Sequence, residues 1–287
     1  MMNSDEAPLE LLAPSTSMSV LLTALVNAMD RPTADGGAGA PGAAQAAAPV
    51  FWDDIPVRAF VHEAARLPLL KEGWSSGEIS DTDLSAGEIL HEFSSTLEIM
   101  SSEDLDEHFR LLVEGAGAAA DFKRVQDARC LKDLLKNDTA LGWSGFDVVT
   151  HDKTLAARME RLRMTADFFR GRLDWTALRG WDLLQGAAFV AKAEASDSAA
   201  ADDVARMESR IAGELLLRCA SWQDLRRSWI LGEFWKGVAM SEKAAAEALL
   251  QAAKTTATLL SVKKPQGAWT AFPWPVVKAD EDAPEVY

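Results

Sequence analysis

An all-α fold is what this sequence predicts, and three observations carry the expectation. Alanine supplies 49 of the 287 residues, and it is the residue with the best intrinsic helix propensity. No stretch between turn signals sustains the period-2 alternation of a half-buried strand. From Phe51 to about Leu260 the apolar residues recur at helical spacing, with turn signals every 15 to 25 residues. The organisation expected is a single Trp-rich helical domain over 51–260. It is preceded by an amphipathic helix segment within 1–32 and a Gly/Ala/Pro linker over 33–50. An extended Pro/Trp tail follows over 261–287.

The first element is the apolar run Met18–Met29. It lacks the positive flank of a signal peptide, because Asp5, Glu6 and Glu10 precede it and the first basic residue is Arg31. It is also shorter than the roughly 20 apolar residues that cross a bilayer. The run therefore reads as a helix of a cytoplasmic protein, with no membrane contact. Residues 33–49 contain no large side chain, so burial cannot offset the entropy of ordering them. The preceding helix is expected to be flexibly tethered as a result. Within the main domain, Ser101 with Asp104 and Ser221 with Asp224 have the spacing of capping boxes, Asp replacing the usual Glu. Asp174, Ser196 and Ser241 are further N-cap candidates. In the tail, Pro265, Pro273, Pro275 and Pro284 rule out a continuing helix.

Charge separates the chain into unlike parts. The net charge is −15, and all of it falls in the first 114 residues, since 115–287 hold 24 acids and 24 bases. An acidic chain of this kind is not built to bind a phosphate backbone. It suits a basic protein partner, whose encounter the acidic surface would accelerate. Glu98, Glu103, Asp104, Asp106 and Glu107 form the candidate partner-binding face. Two cysteines in 287 residues argue for a reducing compartment.

Motifs that carry chemistry are sparse. Gly73-Trp-Ser-Ser-Gly77 matches the G-x-S-x-G pattern, but that elbow requires a strand before it, and a helical segment, Ala64 to Leu70, stands there instead. His62-Glu63 begins like H-E-x-x-H, yet the fifth position is Arg66. Glu88 and His91 have the spacing of a di-metal bundle pair, without the second pair such a site needs. Cys130 and Cys219 have no ligand partner at local spacing. No metal, cofactor or nucleotide site is expected, and no catalytic residue is assigned.

Tryptophan is the anomaly, at ten residues against one tyrosine. Trp222, Leu225, Trp229, Gly232 and Trp235 fall on one helix face, and Trp181 opens another helix. Together these read as a structural core stripe. Gly232 in a helix interior costs about 1 kcal/mol relative to Ala, and the expected compensation is close approach of another backbone. The small residues Gly186, Ala187 and Ala188 are expected to receive the large rings. Asp182, Gln185, Arg226, Arg227 and Glu233 are the candidate polar cluster. In it Asp182 is a buried carboxylate held by Arg226 or Arg227 and by indole N–H donors, the arrangement of a structural lock or, less simply, of a general base.

Trp181-Asp182, then Ser221-Trp222-Gln-Asp-Leu225 leading to Ser228-Trp229-Ile-Leu-Gly232, resembles the bacterial family catalogued as domain of unknown function 1266. Leu97-Glu-Ile-Met-Ser-Ser-Glu-Asp-Leu105 followed by Phe109-Arg-Leu-Leu-Val-Glu-Gly115 is similar to that family's opening segment. The resemblance covers about residues 88–255. It departs from the family pattern at Gln185, where a basic residue is usual, and at Trp229 and Glu233, where Tyr and Arg are favoured. It implies a mostly helical bacterial protein with no established activity, sometimes encoded near toxin or secretion genes. The function expected is non-catalytic binding of a basic protein, in the manner of an immunity protein or effector adaptor. The alternatives are an enzyme centred on Asp182 and an interaction module using the termini, Trp269 and Trp274 included.

Overall fold

A computed structural model describes residues 17–30, 56–73, 86–128, 152–259, 272, 274 and 275. The described residues form ten α-helices and no strand, as the composition predicts. They are α1 (Met18–Asp30), α2 (Val57–Lys71), α3 (Ala86–Ser95), α4 (Ser102–Glu114), α5 (Ala118–Asp127), α6 (Asp152–Phe169), α7 (Arg179–Ala195), α8 (Ala201–Arg218), α9 (Trp222–Met240) and α10 (Glu242–Leu259). A 3-10 turn, Trp175–Leu178, leads into α7. No helix among them is long and apolar enough to cross a membrane. The linker, the G-x-S-x-G motif beyond Gly73, Cys130, His151 and Trp269 lie outside the described residues.

Helices α7 and α9 are the axis of the molecule. Both are buried on nearly every side, the condition of a helix surrounded by others. Helix α7 packs on α2, α4, α8 and α9, and α9 packs on α1, α6, α7 and α10. The small residues along α7 permit this crowding. A Cβ on Gly180 would stand 2.8 Å from both Cβ and Oγ of Ser228, and that Oγ accepts the Trp181 backbone N–H at 2.8 Å.

The local signals hold where they depend on neighbours in the chain. Ser101 Oγ accepts from Asp104 N–H at 3.1 Å, and Ser221 Oγ accepts from Asp224 N–H at 3.2 Å. Each aspartate completes the cap by accepting a backbone N–H just outside the helix, from Met100 and Ala220 respectively. Ser241 caps α10 through Ala244 N–H at 3.0 Å. Ser196 does not cap α8. It ends α7, where its hydroxyl donates to Lys192 O at 2.8 Å, and Ala200 occupies the α8 N-cap without a side-chain bond.

The first helix is not a tethered appendage. Met18, Leu21, Leu22, Leu25, Ala28 and Met29 are buried, and α1 packs on α6, α9 and α10. An apolar face of that size docks wherever a complementary surface exists, however uninformative the segment that joins it. The tail also touches the body. Trp274 packs edge-to-face on Trp222 with centroids 4.9 Å apart, and Trp222 Nε1 donates to Phe272 O at 2.7 Å.

Candidate functional site

The Trp stripe is core. Trp181, Trp222, Leu225, Trp229 and Trp235 are all buried. Gly232, however, is not approached by another backbone. It receives the indole of Trp181, whose ring atoms a Cβ there would overlap. Backbone approach occurs instead one turn later, where a Cβ on Gly237 would stand 2.6 Å from Ala245 Cα across the α9–α10 hairpin. Gly186 faces Ile211 and Leu112 rather than a ring, so it serves helix packing and not a tryptophan.

Asp182 is wholly buried, yet Arg226 and Arg227 do not hold it. Its Oδ1 accepts Ala118 N–H at 2.8 Å and its Oδ2 accepts Ala119 N–H at 3.2 Å. It thus satisfies two of the unpaired donors that begin α5, where the helix dipole also favours a negative charge. Arg179, one turn earlier on α7, has Nη1 3.7 Å from Asp182 Oδ2. Its guanidinium donates to the carbonyls of Val113 and Leu112 at the end of α4. Burial pushes the Asp182 carboxyl up to about 7, against the pull of the two amides and Arg179.

The loop between α4 and α5 is shaped to admit these two side chains. Gly115 has φ +79°, a left-handed conformation that favours glycine, and a Cβ there would collide with Arg179. A Cβ on Gly117 would stand 3.1 Å from Asp182 Cγ and overlap Oδ1.

The other members of the expected cluster are dispersed. Glu233 accepts Trp181 Nε1–H at 2.9 Å and pairs with Lys71 at 2.5 Å. The second indole donor, Trp235, goes to Asp121 at 3.0 Å, so neither ring serves Asp182. Arg226 donates to the carbonyls of Ala28 and Met29, and Arg227 to Met29 O, closing the end of α1. Arg161 does the same for α9, through Val238 O at 3.0 Å and Met240 O at 2.8 Å. Arginine at a helix C-terminus satisfies orphan carbonyls and complements the dipole, and Arg161, Arg226 and Arg227 repeat what Arg179 does at the end of α4.

Gln185 alone of the cluster lines a cleft, a cavity of about 550 Å³ walled by α3, α4, α5 and α7. Its floor is apolar, with Phe93 and Phe189 at 5.2 Å and the His108 ring 5.0 Å from Phe189. Burial lowers the affinity of His108 for a proton. At the rim Lys192 Nζ is held by Glu72 at 2.6 Å and Glu92 at 2.9 Å. Lys236 stands 5.1 Å over the Trp181 ring, and burial lowers its pKa. The free thiol of Cys219 is buried and pushed up to about 12, which leaves no thiolate nucleophile there.

No protein-family model, curated protein or solved structure matches this chain. Where α7 crosses α9, Trp181 meets Ser228 and Gly232, and at the end of α4 Gly115 lies against Arg179.

On the acidic segment, Glu98, Glu103, Asp104, Asp106 and Glu107 are all exposed. Asp106 pairs with Arg206 of α8 at 3.1 Å, and Asp104 serves the α4 cap. Glu103, Glu107 and Leu111 recur every four residues along α4. Leu111 is 41% exposed and also edges the cleft, and Met100, 78% exposed, precedes the helix. The sequence reading missed this apolar component. Spacing on a helix reveals it only once the buried face, Leu105, Phe109 and Val113, is known.

Proposed function

We propose that this chain is a non-catalytic intracellular binding protein that presents the outer stripe of α4 to a basic protein partner. The observation that supports the reading is the composition of that stripe. Glu103, Glu107 and Leu111 recur every four residues along α4 and are exposed, and exposed Met100 stands just before the helix. Large exposed apolar side chains rimmed by charge are a feature of protein-binding surfaces. The polar residues suited to catalysis are meanwhile occupied: Asp182 caps α5, Glu233 bonds Trp181 and Lys71, and Arg226 closes α1. An immunity protein or effector adaptor fits such a surface, and the resemblance to domain of unknown function 1266 implies no established activity.

The experiment measures association rates with a co-purifying basic protein at low and high salt. Wild type is compared with Glu103→Lys/Glu107→Lys and with Leu111→Ser. Charge reversal should slow association and remove its salt dependence, whereas Leu111→Ser should speed dissociation. Rates indifferent to all three changes refute the reading. A second reading, an enzyme or small-molecule binder, is favoured by the cleft, where His108 and Gln185 face one cavity. Saturable binding of a small ligand that Gln185→Leu abolishes would favour it over the first.

A further inference from the structure

Helices α2, α7 and α8 bring together three side chains that no local spacing connects. His62 Nε2 stands 3.2 Å from Glu194 Oε2 and 3.3 Å from Glu208 Oε1. One potential ligand atom from each residue lies within 4.8 Å of the other two. The two N–O separations match the edges of a coordination shell. Ligand atoms about 2.0–2.1 Å from a tetrahedral Zn²⁺ are about 3.3–3.4 Å from one another.

The electrostatics demand a positive charge among them. Glu208 is 4% exposed, and neither its Oε1 nor His62 Nε2 makes a hydrogen bond. A buried carboxylate oxygen facing an imidazole nitrogen and a second carboxylate is unfavourable unless a cation lies between them. Arg58 pairs with Glu194 from the solvent side and is itself 63% exposed, so it neutralises one carboxylate and leaves Glu208. A protonated Nε2 offers a single hydrogen to the two carboxylates. A metal ion reaches all three atoms at once.

We propose that His62, Glu194 and Glu208 bind a divalent transition-metal ion, with a further coordination position open to water. One imidazole and two carboxylates suit Zn²⁺ or Mn²⁺ better than Ca²⁺ or Mg²⁺, which take all-oxygen shells. Three ligands from three helices also couple metal binding to the folded state. The reading is independent of the α4 surface, since none of the three residues belongs to it.

The test uses the full chain, stripped with a chelator and titrated calorimetrically with ZnCl₂ and separately with MnCl₂. One equivalent of at least one ion should bind and raise the melting temperature. His62→Gln and Glu208→Gln should each weaken binding at least about tenfold. His91→Gln, on the exposed face of α3, should leave it unchanged. Co²⁺ added to wild type should broaden the imidazole NMR signals of His62 and spare those of His91, a measurement that needs no variant to fold. Absence of binding by both ions, unchanged affinity in His62→Gln, or broadening centred on another histidine would overturn the site. The trio would then be a protonated imidazole between two carboxylates.

Discussion

Arg179 and Asp182 lie one turn apart on α7 and hold the facing ends of two consecutive helices. The guanidinium takes the last carbonyls of α4 and the carboxylate takes the first amides of α5. The guanidinium complements the dipole at the end of α4, and the carboxyl oxygens accept the orphan amides that open α5. Glycine stands opposite each side chain, Gly115 at Arg179 and Gly117 at Asp182. The α4–α5 corner is therefore clamped from within the core.

Gly117→Ala should destabilise the fold by about 1–3 kcal/mol, the usual cost of overpacking, because its methyl overlaps the Asp182 carboxylate. Gly213→Ala, in the middle of α8 with nothing within 4 Å of its Cβ, should stabilise by about 0.5–1 kcal/mol. Urea denaturation of the two variants gives both numbers. Equal effects of like sign would contradict the clamp.

Asp182 should make stability depend on pH in an unusual direction. Its folded-state pKa lies at about 7, above its ordinary 3.8, so the folded protein holds a proton that the unfolded chain has lost. The contribution is complete below pH 3.8 and disappears as pH rises through about 7. Wild type minus Asp182→Asn, compared by denaturation from pH 4 to 8, isolates this dependence from that of other groups. A carboxyl carbon NMR titration should place the midpoint near 7, and a midpoint below 4 would show that the amides and Arg179 outweigh burial.

Trp229→Ala should cost about 3–5 kcal/mol, the range for deleting a buried aromatic ring. Trp229 is fully buried, and its Nε1 makes no hydrogen bond. Trp229→Phe, which removes that unsatisfied donor, should therefore cost markedly less than the alanine variant. Thermal unfolding of the pair distinguishes a packing role from a polar one.

The helices, the caps at Ser101, Ser221 and Ser241 and the Trp stripe were legible in the sequence because each depends on residues within one or two turns, whereas Asp174 and Ser196 make no N-cap bond. Ser101 with Asp104, and Trp222 with Trp229, declare themselves by spacing alone. The candidate polar cluster was not legible in the same way. Asp182 is paired with amides 63 and 64 residues away and Arg226 with carbonyls 197 and 198 residues away, and both depend on which helix end reaches α7 or α9. Glu194, Glu208 and Arg179 carried no local signal at all. The docking of α1 was hidden because a low-complexity segment shows nothing about where the helix before it comes to rest.

Arg226→Ala should free the end of α1. It removes charge-assisted bonds to Ala28 and Met29, worth about 1.5–3 kcal/mol when the donor is charged. Hydrogen exchange should rise across α1 before it rises in α7. Uniform loss of protection would mean that α1 and the core unfold as one unit.

The docking of α1 also sets an order of events during synthesis. Its main partners, α6, α9 and α10, begin at residue 152 and end at residue 259. At the roughly 5–20 residues per second of translation, on the order of 10 to 50 s separates the emergence of α1 from that of its last partner. For that interval Leu21, Leu22 and Leu25 have no native surface to cover them. The nascent chain carries an uncovered adhesive helix throughout that interval, and its yield in the cell should depend on a ribosome-associated chaperone more than its final stability suggests.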